Sequence, residues 1–169
     1  GQTHVLLRVA ERTRAVFLAD QKLSAARDLG AVCQRARHLD LALLAFPEDM
    51  RPFTEGLYIS GKSTSDGDEV WSAGFPGLGG SPVWQFGKGV VTNSKARIKE
   101  LIDPSVSTII QHSASVSPGN SGGPLLKLSS GVYEVVGINT WKANYREATN
   151  FAVPASQIRS FINAAMKKE

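Results

Sequence analysis

The sequence has little of the chemistry that cross-links or anchors a small protein. It contains a single cysteine, Cys33, in 169 residues. One thiol cannot form an internal disulfide, so an apolar core must hold the fold, and Cys33 is expected to be a small buried part of it. No apolar run approaches the roughly 18 to 20 residues that cross a bilayer, so no membrane span is predicted. The N-terminus has no charged segment followed by an apolar one, which predicts a chain that is mature or not exported.

The excess of positive over negative charge is also small. The 19 Lys and Arg residues exceed the 15 Asp and Glu residues only enough for a net charge of +4. The basic residues form no long run and aromatic residues do not alternate with them, so a nucleic-acid partner is not expected. With 42% hydrophobic and 20% charged residues, the composition is that of an ordinary folded domain.

Short runs of β-branched and aromatic residues, separated by Gly, Pro, Ser and Asn, predict an all-β barrel or sandwich with antiparallel strands. The predicted strands cover residues 5–9, 15–19, 41–46, 69–75, 84–92, 108–112, 124–128, 133–140 and 150–153. Loops are predicted over 22–37, 62–68 and 75–82. The C-terminus differs, because four apolar residues share one face of a helix: Ile158, Phe161, Ile162 and Ala165. We therefore predict a helix over 154–166, docked on the barrel.

The segment Gly119-Asn120-Ser121-Gly122-Gly123 carries the clearest chemical signal. Acyl transfer needs an exposed hydroxyl and backbone N–H groups that point at the oxygen that becomes negative. Glycines beside a serine allow that geometry because they have no Cβ. These residues are also typical of an ordinary turn, so the segment alone does not separate a nucleophile from a loop.

The flanking sequence favours a nucleophile loop over an ordinary turn. Residues 117–126 (SPGNSGGPLL) resemble the nucleophile loop of trypsin-like serine proteases of the HtrA (Deg) type. Residues 136–140 (VGINT), 150–154 (NFAVP), 40–44 (DLALL) and 67–78 are similar to further segments of that family, in the same order. The resemblance implies a chymotrypsin-like fold of two six-stranded antiparallel barrels with a C-terminal helix. It also implies a serine endopeptidase that acts on protein or peptide substrates without metal or cofactor, and an extracytoplasmic location.

The resemblance assigns a Ser-His-Asp triad with Ser121 as nucleophile and Asp40 as the acid that orients the base. Three histidines compete for the role of base. His38 would put base and acid on one strand, contrary to the family's arrangement, and His112 falls in the expected specificity pocket. His4, in residues 3–6 (THVL), resembles the family's histidine segment, and we assign the base to it. The alternative is that His4 has no catalytic role and is a partly exposed residue near the N-terminus.

The resemblance also assigns the residues around the nucleophile. The oxyanion hole is placed at Gly119, Asn120 and Ser121, with the N–H groups of Gly119 and Ser121 as donors. The substrate pocket is placed at His112, Ser115, Val116, Ile138, Asn139, Thr140 and Trp141. Ser115 stands where trypsin-type enzymes carry an acid, so small or aliphatic side chains are expected to fit better than Arg or Lys.

The first lobe is where the sequence departs from the family. We predict an N-terminal barrel lobe over 1–66 and a C-terminal barrel lobe with the helix over 67–169, together one protease domain. Related proteases have strands before the catalytic histidine, whereas three residues precede His4 here. The first barrel is therefore expected to be incomplete, and a second copy or another chain to complete it. An alternative function is a catalytically inactive module of the same fold that binds peptide or a partner protein.

Overall fold

Thirteen strands and one helix form the regular structure that the computed structural model describes. It describes residues 5–9, 13–17, 32–36, 41–45, 56–78, 81–98, 108–143 and 148–166. The strands are β1 (Val5–Val9), β2 (Thr13–Phe17), β3 (Val32–Ala36), β4 (Leu41–Ala45), β5 (Tyr58–Ile59), β6 (Glu69–Gly74), β7 (Gly77–Leu78), β8 (Ser81–Pro82), β9 (Gln85–Ala96), β10 (Ile109–His112), β11 (Pro124–Ser129), β12 (Val132–Lys142) and β13 (Asn150–Pro154), and the helix is α1 (Ala155–Met166).

Six of these strands close into an antiparallel barrel. Their order is β11-β6-β9-β10-β13-β12, and β12 pairs with β11 again. The short strand β5 adds to the outside of β12 in parallel. Closure leaves no unpaired strand edge among the six, which is how antiparallel sheets avoid edge-to-edge association. The prediction of an all-β fold with a barrel is confirmed.

The N-terminal strands form a separate antiparallel sheet in the order β1-β2-β4-β3. The predicted loop over 22–37 is wrong at its end, because β3 pairs with β4 along its whole length, from Val32 opposite Ala45 to Ala36 opposite Leu41. Cys33 lies in this strand opposite Leu44. The predicted loop over 75–82 likewise contains the short β7–β8 hairpin. The division of the chain into lobes at residues 66 and 67 stays a prediction.

The helix α1 docks on the barrel as its apolar spacing predicts. Ile158, Ile162 and Ala165 are buried, and Phe161 packs against the same cluster. The cluster also takes in barrel residues and two leucines of β4: Leu126, Val135, Ile138, Val153, Leu41 and Leu43. The helix begins one residue later than predicted because Pro154 ends β13. No helix within the described residues has the length and apolarity to span a bilayer.

One face of β9 lies in close contact with the segment that follows β10. Gln85, Gly87 and Gly89 alternate with exposed residues, so they share the inner face of the strand. A Cβ on Gly89 would lie 2.1 Å from the backbone N of Ala114, and one on Gly87 would lie 3.0 Å from Cβ of Ser115. The absence of side chains at these two positions lets residues 113–115 lie directly on the strand.

Candidate active site

The loop that carries Ser121 is held in a tight double turn between β10 and β11. The N–H of Asn120 donates to the carbonyl of Ser117, and the N–H of Gly123 donates to the carbonyl of Asn120, both at 2.9 Å. Gly119 and Gly122 have φ angles of 105° and 84°, in the left-handed region that glycine enters at least cost. Gly119 and Gly122 are therefore favoured by the backbone conformation of the turn.

The same loop is fastened to β12 by two backbone hydrogen bonds. The N–H of Gly122 donates to the carbonyl of Asn139 at 2.8 Å, and the N–H of Asn139 donates to the carbonyl of Gly123 at 2.9 Å. Ser121 directly precedes Gly122 in the chain. The two bonds therefore fix the position of Ser121 relative to β12.

The hydroxyl of Ser121 is half-buried and faces β12. Its Oγ donates to the carbonyl of Thr140 at 3.2 Å. A hydroxyl bonded in this way is a weak nucleophile, and attack on a carbonyl carbon requires a base to accept its proton. The structure thus places Ser121 half-buried beside β12, with its hydroxyl hydrogen-bonded to the backbone.

Asn120 is fully buried beside Ser121, and its side chain is part of a polar bridge. Its Nδ2 donates to Oε1 of Gln85 at 2.7 Å. The Nε2 of Gln85 donates in turn to Oγ of Ser115 at 3.3 Å. Sequence reasoning missed Gln85, which lies 35 residues before Asn120. The available signal was its spacing: a polar residue on the same strand face as Gly87 and Gly89.

Most of the residues predicted to form the substrate pocket are buried. His112 and Asn139 are 0% exposed, and Val116, Ile138 and Thr140 are also in the core. Ser115 is exposed and Trp141 is half-buried. The structure therefore places Ser115 and Trp141 where a ligand can touch them, while the other five side chains lie behind the surface.

The buried polar layer around His112 has an electrostatic consequence. Neither ring nitrogen has a hydrogen-bond partner of good geometry among the described residues. The Nδ2 of Asn139 donates to Oγ of Ser72 at 3.1 Å and to the carbonyl of Pro124 at 3.3 Å. Burial lowers the pKa of His112 to about 4, and the nearby Asn139 side chain opposes that shift only in part. At neutral pH this imidazole is uncharged and closed to substrate, which argues against a role as the base.

The depressed pKa of His112 predicts a loss of stability in weak acid. The unfolded chain takes up a proton near pH 6.5, whereas the folded chain resists protonation down to about pH 4. The free energy of unfolding should therefore fall by about 2 to 3 kcal/mol through His112 as pH falls from 7.5 to 4.5. Denaturant unfolding at both pH values measures it. His112→Gln, which does not titrate, should lose this part of the slope, and an unchanged slope would contradict the prediction.

The other proposed members of the triad lie outside the described residues. His4 and Asp40 directly precede β1 and β4 in the sequence, and His38 is also outside the described part. Their roles stay predictions. Within the described residues, no group of three or more His, Cys, Asp or Glu side chains could hold a metal ion.

Comparison with known proteins identifies the family. The profile of the trypsin-like peptidase domain matches residues 3–138. The chain belongs to the trypsin-like peptidase family. The matched span begins one residue before His4 and ends after Ser121, so all three proposed triad positions of this trypsin-like domain fall within it.

The relatives of this trypsin-like domain are HtrA-type proteins. A probable periplasmic serine endoprotease DegP-like from Rhizobium meliloti is 33% identical over 132 residues, covering 76% of this chain and 24% of that protein. The serine protease Do-like HtrA of Lactobacillus helveticus is 30% identical over 160 residues, covering 90% and 36%. The mitochondrial serine protease HTRA2 of Bos taurus is 36% identical over 81 residues, covering 47% and 17%. The resemblance to HtrA-type proteins is confirmed, and the chain spans about a third or less of each relative's length.

Solved structures show the same fold. The serine endoprotease from Yersinia pestis superposes with a TM-score of 0.60 at 21% identity, covering 94% of this chain and 51% of that one. The active form of the Rv3671c protease from M. tuberculosis superposes with a TM-score of 0.61 at 22% identity, covering 88% and 61%. The prediction of a chymotrypsin-like fold with a C-terminal helix is confirmed.

Proposed function

We propose that this domain is a serine endopeptidase that hydrolyses peptide bonds through an acyl-enzyme intermediate on Ser121. The observation that carries the proposal is the position of the Ser121 hydroxyl, on a double turn that favours Gly119 and Gly122 and is fastened to β12. The membership of the trypsin-like peptidase family supports it.

In the proposed reaction His4 is the base and Asp40 orients it. Ser121 Oγ attacks the scissile carbonyl carbon while the imidazole of His4 takes the hydroxyl proton. The N–H groups of Gly119 and Ser121 stabilise the negative oxygen of the tetrahedral intermediate. The same proton then passes from His4 to the departing amine as the C–N bond breaks. Water next attacks the acyl-enzyme while His4 takes a proton from it, and His4 returns that proton to Ser121 Oγ as the acyl group leaves. No step needs a metal or cofactor.

Two contacts link the strands that follow the proposed base and acid to β12. Leu41, directly after Asp40, is buried in the same cluster as Ile138, which lies two residues before Thr140 on β12. The strand β1, directly after His4, contacts β5, and β5 pairs with β12. The strands that begin beside the proposed base and acid are thus tied to the strand whose carbonyl binds the Ser121 hydroxyl.

The preferred substrate is proposed to be a protein or peptide with a small or aliphatic side chain before the scissile bond. Ser115 supplies an uncharged exposed hydroxyl where trypsin-type enzymes carry an acid, and His112 is uncharged at neutral pH. Neither attracts Lys or Arg. From the relatives named as periplasmic, we also propose an extracytoplasmic location.

Intact-mass analysis after treatment with a fluorophosphonate tests the proposal, because such probes react with an activated serine. The wild-type domain should gain one adduct, and Ser121→Ala and His4→Ala should gain none. His38→Ala is the matched control, since it removes a histidine two residues before Asp40 in the sequence and should label like the wild type. Labelling of His4→Ala together with loss in His38→Ala would move the base to His38.

A catalytically inactive module that binds peptide is the second candidate. The hydrogen bond from Ser121 Oγ to the carbonyl of Thr140 favours it, since a hydroxyl whose proton is held by the backbone is not activated. Folded wild-type protein that gains no adduct, yet binds peptide in a titration, would support this module and contradict the endopeptidase.

A further inference from the structure

One side chain outside the triad connects the nucleophile loop (residues 117–123) to the pocket loop (residues 113–116). Gln85 begins β9 and lies half-buried between them. Its Oε1 accepts a hydrogen bond from Nδ2 of Asn120 at 2.7 Å, and its Nε2 donates to Oγ of Ser115 at 3.3 Å. We propose that Gln85 is a positioning residue that holds the nucleophile loop against the pocket loop and thereby fixes Ser121 and the oxyanion donors. The inference rests on the proposed function.

Asn120 is the point at which such an anchor acts on the nucleophile. It directly precedes Ser121, its side chain is fully buried, and its backbone N–H and carbonyl both take part in the double turn. Its Oδ1 has no hydrogen-bond partner among the described residues. The bond from Nδ2 to Gln85 is the hydrogen bond that this side chain makes among the described residues. A displacement of the Asn120 backbone would move the next residue, Ser121.

The surroundings of Asn120 leave it little freedom. A Cβ on Gly74 would lie 2.5 Å from Oδ1 of Asn120, so the amide oxygen packs directly against Gly74 at the end of β6. The bridge also persists if both amides are rotated by 180°. In that case Gln85 Nε2 donates to Asn120 Oδ1, and the Ser115 hydroxyl donates to Gln85 Oε1.

The other end of the bridge rests on a platform formed by β9 and the pocket loop. The N–H of Val90 donates to Oγ of Ser113, and the N–H of Ser113 donates to the carbonyl of Val90, both at 3.0 Å. Gly87 and Gly89 let the pocket loop lie in contact with the same strand. Gln85 extends this platform to Asn120, so the position of Ser121 is set relative to the surface that receives the substrate side chain.

The anchor is uncharged, which distinguishes it from an ion pair. Asn120 cannot pair with an amino group as a carboxylate would, and Gln85 supplies a neutral acceptor and a neutral donor instead. A glutamate at position 85 can still accept from Asn120 Nδ2 and from the hydroxyl of Ser115. A leucine of similar size can do neither. Gln85→Glu is therefore the conservative variant, and Gln85→Leu breaks both bonds.

Hydrogen exchange of the nucleophile loop, followed by mass spectrometry, tests the inference without relying on activity. Gln85→Leu should exchange amides of residues 117–123 about tenfold faster than the wild type, whereas Gln85→Glu should not. Lys88→Gln is the control, because it alters an exposed residue on the opposite face of β9. If Gln85→Leu does not fold, Gln85→Asn keeps the amide but is one methylene too short for both bonds, and the same faster exchange is expected.

A kinetic measurement on the same variants adds the catalytic consequence. Gln85→Leu should slow fluorophosphonate labelling and kcat by about 10- to 100-fold, since small misplacement of reacting groups has effects of that size. KM should change less, and Gln85→Glu should restore the rate. Equal exchange in Gln85→Leu and wild type would overturn the inference whether or not the protein is active. A wild type that does not label, with loop exchange that depends on Gln85, would overturn the endopeptidase and leave the anchor standing.

Discussion

Ser121→Ala is expected to reduce kcat/KM for a peptide or protein substrate by about 10⁴- to 10⁶-fold, the range typical of removing a nucleophile from a triad. The alanine lacks the oxygen that would form the acyl-enzyme, so both chemical steps are lost. The turn itself should persist, because its hydrogen bonds involve only the backbone of residues 117–123 and of Asn139. Residual rate would come from the oxyanion donors and substrate binding alone.

Ser117→Ala is the matched control for that experiment. Ser117 lies in the same loop, and its carbonyl, which accepts from the N–H of Asn120, is kept in the variant. Its activity should stay close to that of the wild type. Progress curves with a quenched peptide library and equal protein concentrations measure both variants. Comparable activity in Ser121→Ala and wild type would place the nucleophile elsewhere.

The fold was predictable wherever local sequence carries its own signal. The helix α1 has apolar residues at helical spacing, and β12 is a run rich in β-branched and aromatic residues that follows Gly131. The strand β3 was missed because Gln34 and Arg35 interrupt its apolar residues, and its pairing with β4 decides its conformation. The strand β9 extends four residues beyond the predicted end, since it pairs with β10 as far as Ala96, which lies opposite Ile109.

In the candidate site, too, local sequence identifies some residues and strand pairing brings in others. Ser121 and its glycines are consecutive in sequence, so a motif could identify them. Gln85 reaches Asn120 only because β9 and β11 both pair with β6, and no local pattern encodes that proximity. His112 was predicted in the pocket, but β10 is buried on both faces, so the sequence lacked the alternation that would show where its side chain lies.

Among the described glycines, Gly89 is the position where an added methyl group would make the closest contacts with backbone atoms. A Cβ there would lie 2.1 Å from N and 2.4 Å from Cα of Ala114, and 2.6 Å from the carbonyl carbon of Ser113. These are backbone atoms, which cannot turn away as the end of a flexible side chain can. The pocket loop or β9 would have to move, with loss of the paired bonds between Ser113 and Val90.

Gly89→Ala is therefore expected to lower the free energy of unfolding by about 4 kcal/mol or more, in the exceptional range for a single substitution. Gly61→Ala provides the comparison, because a Cβ at Gly61 meets no atom within 4 Å. Its stability should lie within about 0.5 kcal/mol of the wild type, as for other surface changes. Denaturant unfolding of the three proteins, followed by tryptophan fluorescence, measures both values. Equal stability of Gly89→Ala and Gly61→Ala would mean that the pocket loop does not lie on β9, and the platform proposed for Gln85 would be lost with it.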